Sequence, residues 1–443
     1  MKPVVHRTGR HFFTLLLIFC IFTSHVFAQN KAQTLHDLNT LLINTVMDDL
    51  YTPPISARIY IYPNIAFYEC IRSDDPALPT LVGKLNGLNN LPAIPKSTPI
   101  NNFIAACVSF TYVAQNLVGS EYKIEDWRKV FIDSLMQHGD NTISQTSIAY
   151  GKQVADSIIA WTKKDNYLRS RGMMRHVIRK DPGSWQPTPN DYAQALEPNW
   201  CTIRPLMLKT CSQFSPAKKL LYNPSRRSAF FKDNVMEVYR LSKTRDSTKI
   251  NIAKYWDDNP NISVVDGHLT YFIHKISPAG HWLMITRQAC IGKNLPVTKA
   301  AQAYTLAGIA MFDAFIACWD EKFKVDLIRP VTVINRFVDA KWEPLIQTPP
   351  FPEFTSGHAV ISNAAATVLT RLLGDNYFFT DNTEIPFGIR PRSFSSFNAA
   401  AEESSWSRVY GGIHYPETAR ISIHQGKQVG SYVLSVFEKN NAK

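Results

Sequence analysis

Three short segments in the C-terminal half of the chain carry the residues best suited to chemistry. In Lys322-Phe-Lys-Val-Asp-Leu-Ile-Arg329-Pro330 two cations stand seven positions apart, a spacing that puts both on one helical face. In Pro349-Pro-Phe351-Pro-Glu353-Phe-Thr355-Ser356-Gly357-His358 a hydroxyl, a glycine and an imidazole run into a helical pattern from Ala359. Ser407-Arg408-Val-Tyr-Gly-Gly-Ile-His414 adds a second guanidinium and a second imidazole. Together these describe a pocket for a tetrahedral or trigonal-bipyramidal oxyanion. Guanidinium forks grip anion oxygens bidentately, and an ammonium adds a point charge. A glycine at a helix N-terminus lets a bare amide approach where the dipole also favours negative charge. One imidazole then serves as nucleophile or ligand and the other as proton carrier. Taken singly, each residue has a plainer role: solvated cation, helix cap, packed histidine. The joint arrangement is what points to an anion site.

The elements that must position these residues are helical. Apolar periodicity marks helices at about 35–50, 56–70, 101–118, 124–137, 143–163, 229–244, 246–256, 278–292, 298–319, 358–374 and 416–437, with Pro53-Pro54 read as the stop after the first. The stretch from Thr298 to Trp319 is apolar on nearly every face, which places it in the middle of a bundle. Residues 165–228, rich in Pro, Asn, Arg and Trp, carry no sustained period and read as a long ordered loop or cap. No alternating strand pattern of useful length and no internal repeat is evident. The fold class expected is an all-α helical bundle with a long ordered loop region. Its organisation is a leader at 1–28, an N-terminal helical part at 29–245 and a C-terminal catalytic part at 246–443.

Composition narrows the partners. A chain of 443 residues, 45% hydrophobic and 19% charged, is neither disordered nor a small disulfide scaffold. Its 48 Lys and Arg against 36 Asp and Glu give a formal charge of +12, which favours an anionic partner. Lys2, Arg7 and Arg10 precede an apolar run from Phe12 to Phe22, ending at Val26-Phe27-Ala28, so residues 1–28 read as a secretory signal peptide. The run is too short for a spanning helix. The protein is therefore expected to be exported, to a periplasm or beyond, with no stable membrane span, and loss of the leader removes three of the positive charges. Cys70, Cys107, Cys201, Cys211, Cys290 and Cys318 then remain, with Cys201 and Cys211 close enough in sequence to bridge. No nucleic-acid recognition motif is present.

The combination K-x6-R-P, S-G-H and S-R-x5-H resembles the superfamily of vanadium-dependent haloperoxidases and type 2 phosphatidic acid phosphatases. Cys318-Trp319 before Lys322, Pro349-Pro-Phe351-Pro before Ser356, and the segments Trp185-Gln-Pro-Thr-Pro and Tyr255-Trp256-Asp257-Asp258 resemble its exported bacterial branch, which includes iodoperoxidases. The resemblance implies that His414 is the axial ligand of a vanadate cofactor whose oxygens are bound by Lys322, Arg329, Ser356, Gly357 and Arg408. It implies that His358 is the acid–base residue for hydrogen peroxide, that Lys322 assists catalysis, and that Phe351 and Trp319 line the halide pocket. The substrates implied are hydrogen peroxide and halide, iodide ahead of bromide. Phosphate is expected to fit the same site. Two departures stand out: Thr355 replaces a frequent Pro, and Thr418 stands where many members carry an Asp that orients the ligand histidine, with Glu417 a candidate substitute. Asp257 and Asp258 are candidates to pair with Arg408. The competing reading is an exported acid phosphatase with His414 as nucleophile and His358 as proton donor; a non-enzymatic binder of anionic glycans ranks third.

Overall fold

The computed structural model of the protein describes residues 31–439 apart from 96, 97, 139, 261 and 267. The leader read at 1–28 lies outside these residues. The all-α expectation holds. Helix α1 covers residues 31–48 and α2 is Pro53–Ile71, buried along its whole length. The two prolines read as a stop are in fact the first turn of α2, where a missing N–H costs nothing and the fixed φ suits the helix. Next come α3 (Asn102–Gln115), α4 (Glu121–His138), α5 (Asn141–Thr162) and the short α6 (Tyr167–Arg171). Asn101 and Asp140 cap α3 and α5 with their side-chain oxygens.

After the long loop come a π-helical segment (Phe230–Val235), α7 (Met236–Lys243), α8 (Ser247–Tyr255), α9 (Pro278–Gly292) and α10 (Val297–Val325). Helix α10 has the length and apolarity of a membrane span, but 94% of its 18-residue apolar window is buried inside the bundle, packed against α2, α9, α12 and α14. It is followed by α11 (Pro330–Phe337), α12 (Gly357–Leu373), α13 (Phe397–Tyr410) and α14 (Pro416–Glu438). The continuous face proposed for Lys322 and Arg329 does not exist. Helix α10 stops at Asp326, which takes a left-handed conformation (φ 54°), and Pro330 keeps Arg329 extended as the N-cap of α11. The two cations are brought together across a chain reversal rather than along a helix.

Two antiparallel hairpins escaped the sequence reading: β1 (Ile262–Asp266) with β2 (Leu269–Ile273), and β3 (Phe379–Asp381) with β4 (Arg392–Phe394). Each strand is five residues or fewer, too short for alternation to stand out.

The cap is pinned to the bundle by polar contacts. Asp313, buried in α10, accepts the backbone amides of Leu206, Met207 and Leu208 at 2.7, 2.8 and 2.9 Å. Arg58 of α2 pairs with Asp165 at 2.6 Å. Trp185 donates its amide to Asp326 O at 2.8 Å, and Leu196 donates its amide to Pro350 O at 2.9 Å. All six cysteines named above are free thiols, Cys201 and Cys211 included.

Asp313→Leu removes the acceptor of three buried amides, each worth about 1–3 kcal/mol when left unpaired. It is expected to raise hydrogen exchange at residues 206–208 and to lower the melting temperature, while exchange in α12 stays near its original rate.

Candidate oxyanion site

The three segments converge where the C-terminal end of α10, the N-termini of α11 and α12, and the turn between α13 and α14 meet. All nine residues singled out from the sequence lie in this one region. Trp319 and Phe351 stand with ring centroids 5.0 Å apart and form one wall of a cleft. Gly357, His358, Arg408 and His414 line its polar side, with Pro53, Leu196, Pro278 and Phe315 on the apolar side. Pro53 and Leu196 come from the N-terminal part and the cap, so the cleft is completed by segments outside the motifs.

Behind the cleft the cations are oriented by backbone carbonyls. Lys322 Nζ donates to Pro352 O at 2.9 Å, to Glu353 O at 3.3 Å and to Thr355 O. All three ammonium protons are thus committed to the loop before Ser356. Arg329 donates from Nε to Phe351 O at 3.0 Å and from Nη1 to Ile413 O at 2.7 Å, while Nη2 has no protein partner. Arg408 donates from Nη1 to Trp256 O at 2.7 Å, its Nη2 lies 3.9 Å from Asp257 Oδ1, and its Nε is unpartnered. Of the two acids considered for Arg408, Asp257 is the one that faces it; Asp257 also takes Lys275 at 3.1 Å. Burial lowers the pKa values of Lys322, Arg329 and Arg408, so these cations lack full compensation from the protein.

Ser356 is the N-cap of α12, yet its hydroxyl does not cap the helix and Oγ is buried without a protein partner. Its amide instead donates to Ser422 Oγ at 2.9 Å. A hydroxyl in that position is available to something outside the chain.

His414 has one side fully specified. Its Nδ1 lies 2.8 Å from Glu353 Oε1, which also accepts the Tyr415 amide at 2.9 Å, and Thr418 Oγ1 donates to Glu353 Oε2 at 2.8 Å. A carboxylate on Nδ1 assigns the proton there and leaves the Nε2 lone pair directed at Arg329 Nη1, 3.2 Å away. Burial, then Arg329, Lys322 and Arg408, hold His414 well below the usual histidine range, so the imidazole is neutral. The carboxylate missing at Thr418 is therefore supplied by Glu353, and Thr418 holds that carboxylate in place. Glu417, considered as the substitute, points outward to Lys218 at 2.6 Å and Arg420 at 3.3 Å. Burial raises the Glu353 carboxyl, against Arg329, the Tyr415 amide and Thr418, which favour its charge.

Thr355, the other departure, donates from Oγ1 to Gln425 Oε1 at 2.9 Å and offers its carbonyl to Lys322. His358 is held below the usual range by burial, then by Arg408 and His281, and its Nε2 has no protein partner.

Comparison with known proteins identifies the family. A family described as "VCPO second helical-bundle domain" matches residues 302–341 and 335–442. The crystal structure of the first bacterial vanadium-dependent iodoperoxidase is 40% identical, with a TM-score of 0.86, covering 91% of this chain and 96% of that one. The chain belongs to the vanadium-dependent haloperoxidase family. Holo and apo forms of a bacterial vanadium-dependent chloroperoxidase share the fold at 15% and 16% identity, with TM-scores of 0.67 and 0.65; they cover 87% and 88% of this chain and 92% and 94% of their own. No curated protein sequence matches.

The residue that sequence reasoning missed in this haloperoxidase is Glu353. Its signal was present, an acid amid Pro, Phe and Thr, but nothing in spacing ties it to a histidine 61 positions away. Glu353→Gln is expected to weaken oxyanion binding about 10- to 100-fold, read by titrating the protein with orthovanadate and with phosphate. Thr418→Val, which removes one bond to the same carboxylate, should weaken it less.

Proposed function

We propose that the protein is a vanadate-dependent haloperoxidase that oxidises halide with hydrogen peroxide to a hypohalous species, with iodide the preferred halide. The observation that carries the reading is a set of unsatisfied donors, Ser356 Oγ, Arg329 Nη2 and Arg408 Nε, buried in one site with the Nε2 lone pair of a carboxylate-held imidazole. Buried polar groups are ordinarily paired, and this set fits an oxyanion that would be held by these donors and by one imidazole nitrogen. Vanadate held there would supply a Lewis-acidic centre that activates hydrogen peroxide.

The chain's own residues divide the work. His414 offers Nε2 as the ligand atom, with Glu353 fixing the tautomer and raising the basicity of the ring. Arg329, Arg408, Ser356 and the Gly357 amide hold oxyanion oxygens. Lys322, with its protons spent on carbonyls, contributes positive charge and keeps the Ser356 loop in shape. His358, neutral in the site, takes the proton of hydrogen peroxide. Trp319 and Phe351 form an aromatic wall that suits a large, weakly hydrated anion, which supports iodide, as does the 40% identical iodoperoxidase. Export to the periplasm or medium remains part of the proposal and rests on the leader sequence.

The phosphatase reading keeps one observation in its favour. Glu353 would orient a nucleophilic His414 as well as a ligand one, so the absence of an acid at Thr418 does not count against it. The narrow aromatic cleft and the family relationship favour the peroxidase.

Protein freed of oxyanions is expected to gain peroxide-dependent iodide oxidation on addition of orthovanadate, with inorganic phosphate competing and rates ordered iodide, bromide, chloride. His414→Ala should abolish the gain. Turnover of p-nitrophenyl phosphate without any vanadate response would transfer the site to the phosphatase.

A further inference from the structure

Beside the oxyanion site lies a buried charged chain that the mechanism above leaves without a role. His281, on α9, is fully buried and held between two carboxylates: Nδ1 lies 3.0 Å from Asp258 Oδ1 and Nε2 lies 2.7 Å from Asp381 Oδ2. Asp381, at the end of β3, is itself saturated. Its Oδ1 accepts Gln288 Nε2 at 3.1 Å, the Thr383 amide at 3.0 Å and Thr383 Oγ1 at 2.7 Å. Trp256 stacks on the His281 ring at 4.7 Å and an interplanar angle of 21°.

With a carboxylate on each nitrogen, the His281 ring carries two protons and a positive charge. Burial opposes that charge, and Asp258 and Asp381 outweigh it, holding His281 protonated well above the usual histidine range. Burial and Asp258 push the Glu384 carboxyl, whose Oε1 lies 3.7 Å from Nδ1, above its usual range, against His281 and Lys275. Ligand atoms of Asp258, His281 and Glu384 lie within 4.8 Å of one another. An imidazolium has no lone pair to give a metal, so the cluster is an ion-pair chain and not a cation site.

The chain has one open end, and it faces the active site. The second oxygen of Asp258, Oδ2, lies 3.7 Å from His358 Nε2, the nitrogen without a protein partner. The other nitrogen of His358 is engaged by the Trp256 backbone. The segment Trp256-Asp257-Asp258 thus touches both Arg408 and His358, and His281 anchors its last residue.

We propose that Asp258 is the positioning residue of His358: clamped by His281 and Asp381, it holds the ring orientation and offsets the charge when Nε2 takes a proton, while the Trp256 backbone keeps the other proton on Nδ1. The anchoring matters because an unclamped carboxylate 3.7 Å from the ring would swing toward Arg408, already faced by Asp257. At an effective dielectric near 20, a carboxylate about 4 Å from an imidazolium supplies a substantial offset to the nearby guanidinium. The inference rests on His358 being the acid–base group, and its test separates the two claims.

The experiment uses full-length protein with nitrogen-15-labelled histidine. Spectra recorded without vanadate, with the His358 signals assigned by loss in His358→Gln, report ring tautomer directly. The unaltered protein should show His358 as a single tautomer protonated on Nδ1, and His281 protonated on both nitrogens at pH 8. Asp258→Asn should leave the proton on Nδ1 but shift the His358 Nε2 signal and make Nε2 harder to protonate. With vanadate loaded, it should lower kcat about 10- to 100-fold while the dissociation constant for vanadate stays within threefold. His281→Gln, which loosens the anchor without touching His358, should shift the same His358 signals by a smaller amount; it is the second variant should Asp258→Asn fold poorly. His358 signals unchanged in both variants would overturn the proposal, as would a loss of activity explained wholly by weaker vanadate binding. Full peroxidase activity in His358→Gln would instead remove the acid–base role of His358, leaving the spectra to decide the positioning claim.

Discussion

The structure depends on keeping Lys322, Arg329 and Arg408 together and buried. Two unit charges 4 Å apart interact by about 4 kcal/mol even at an effective dielectric of 20, and neither is solvated by bulk water in such a place. The protein meets this cost with carbonyl dipoles more than with acids. Pro352, Glu353 and Thr355 surround the ammonium, Phe351 and Ile413 take the Arg329 fork, and Trp256 takes Arg408. Carbonyls orient cations without neutralising them. The remaining positive field is left for an oxyanion, whose own charge completes the balance.

That requirement explains much of the surrounding architecture. Carbonyls can turn inward only where the chain is not helical, so the site sits at helix ends: the stop of α10, the starts of α11 and α12, and the turn before α14. Irregular backbone at that depth must be covered, and the cap covers it. Asp313 pins one part of the cap to α10, while Leu196 and Trp185 bind the loops around Phe351 and Asp326. The long loop without periodicity is therefore the roof of the cleft. Of the acids around the site, Glu353 and Asp258 each address a histidine and Asp257 faces Arg408 only at 3.9 Å, so the anion bed stays positive while both imidazoles are fixed.

Motif order carried the reading of the site from sequence. Lys322, Arg329, Ser356, Gly357, His358, Arg408 and His414 are legible because each motif is local: a cation before a proline, a hydroxyl and glycine at a helix start, a histidine after a glycine turn. Glu353 was visible within a motif but silent, because its partner lies 61 residues away. His281 was less visible still. It sits in an apolar helical run, where a histidine reads as core, and its partners come from α8's end and from β3. Helix ends failed where a single residue overrides periodicity, as Asp326 does by taking a left-handed conformation.

By itself the sequence determined the helical class, the identity of the groups that meet an oxyanion and the family to which they belong, because residue type and spacing of up to about two turns are local properties. Tertiary structure decided the pairings. It moved the carboxylate of His414 from position 418 to Glu353, gave Arg408 to Asp257 and Asp258 to His281, and committed every proton of Lys322 to backbone carbonyls. Those choices depend on distances between segments tens to hundreds of residues apart. Such distances are set by how α2, α10, α12 and α14 pack around the buried charges.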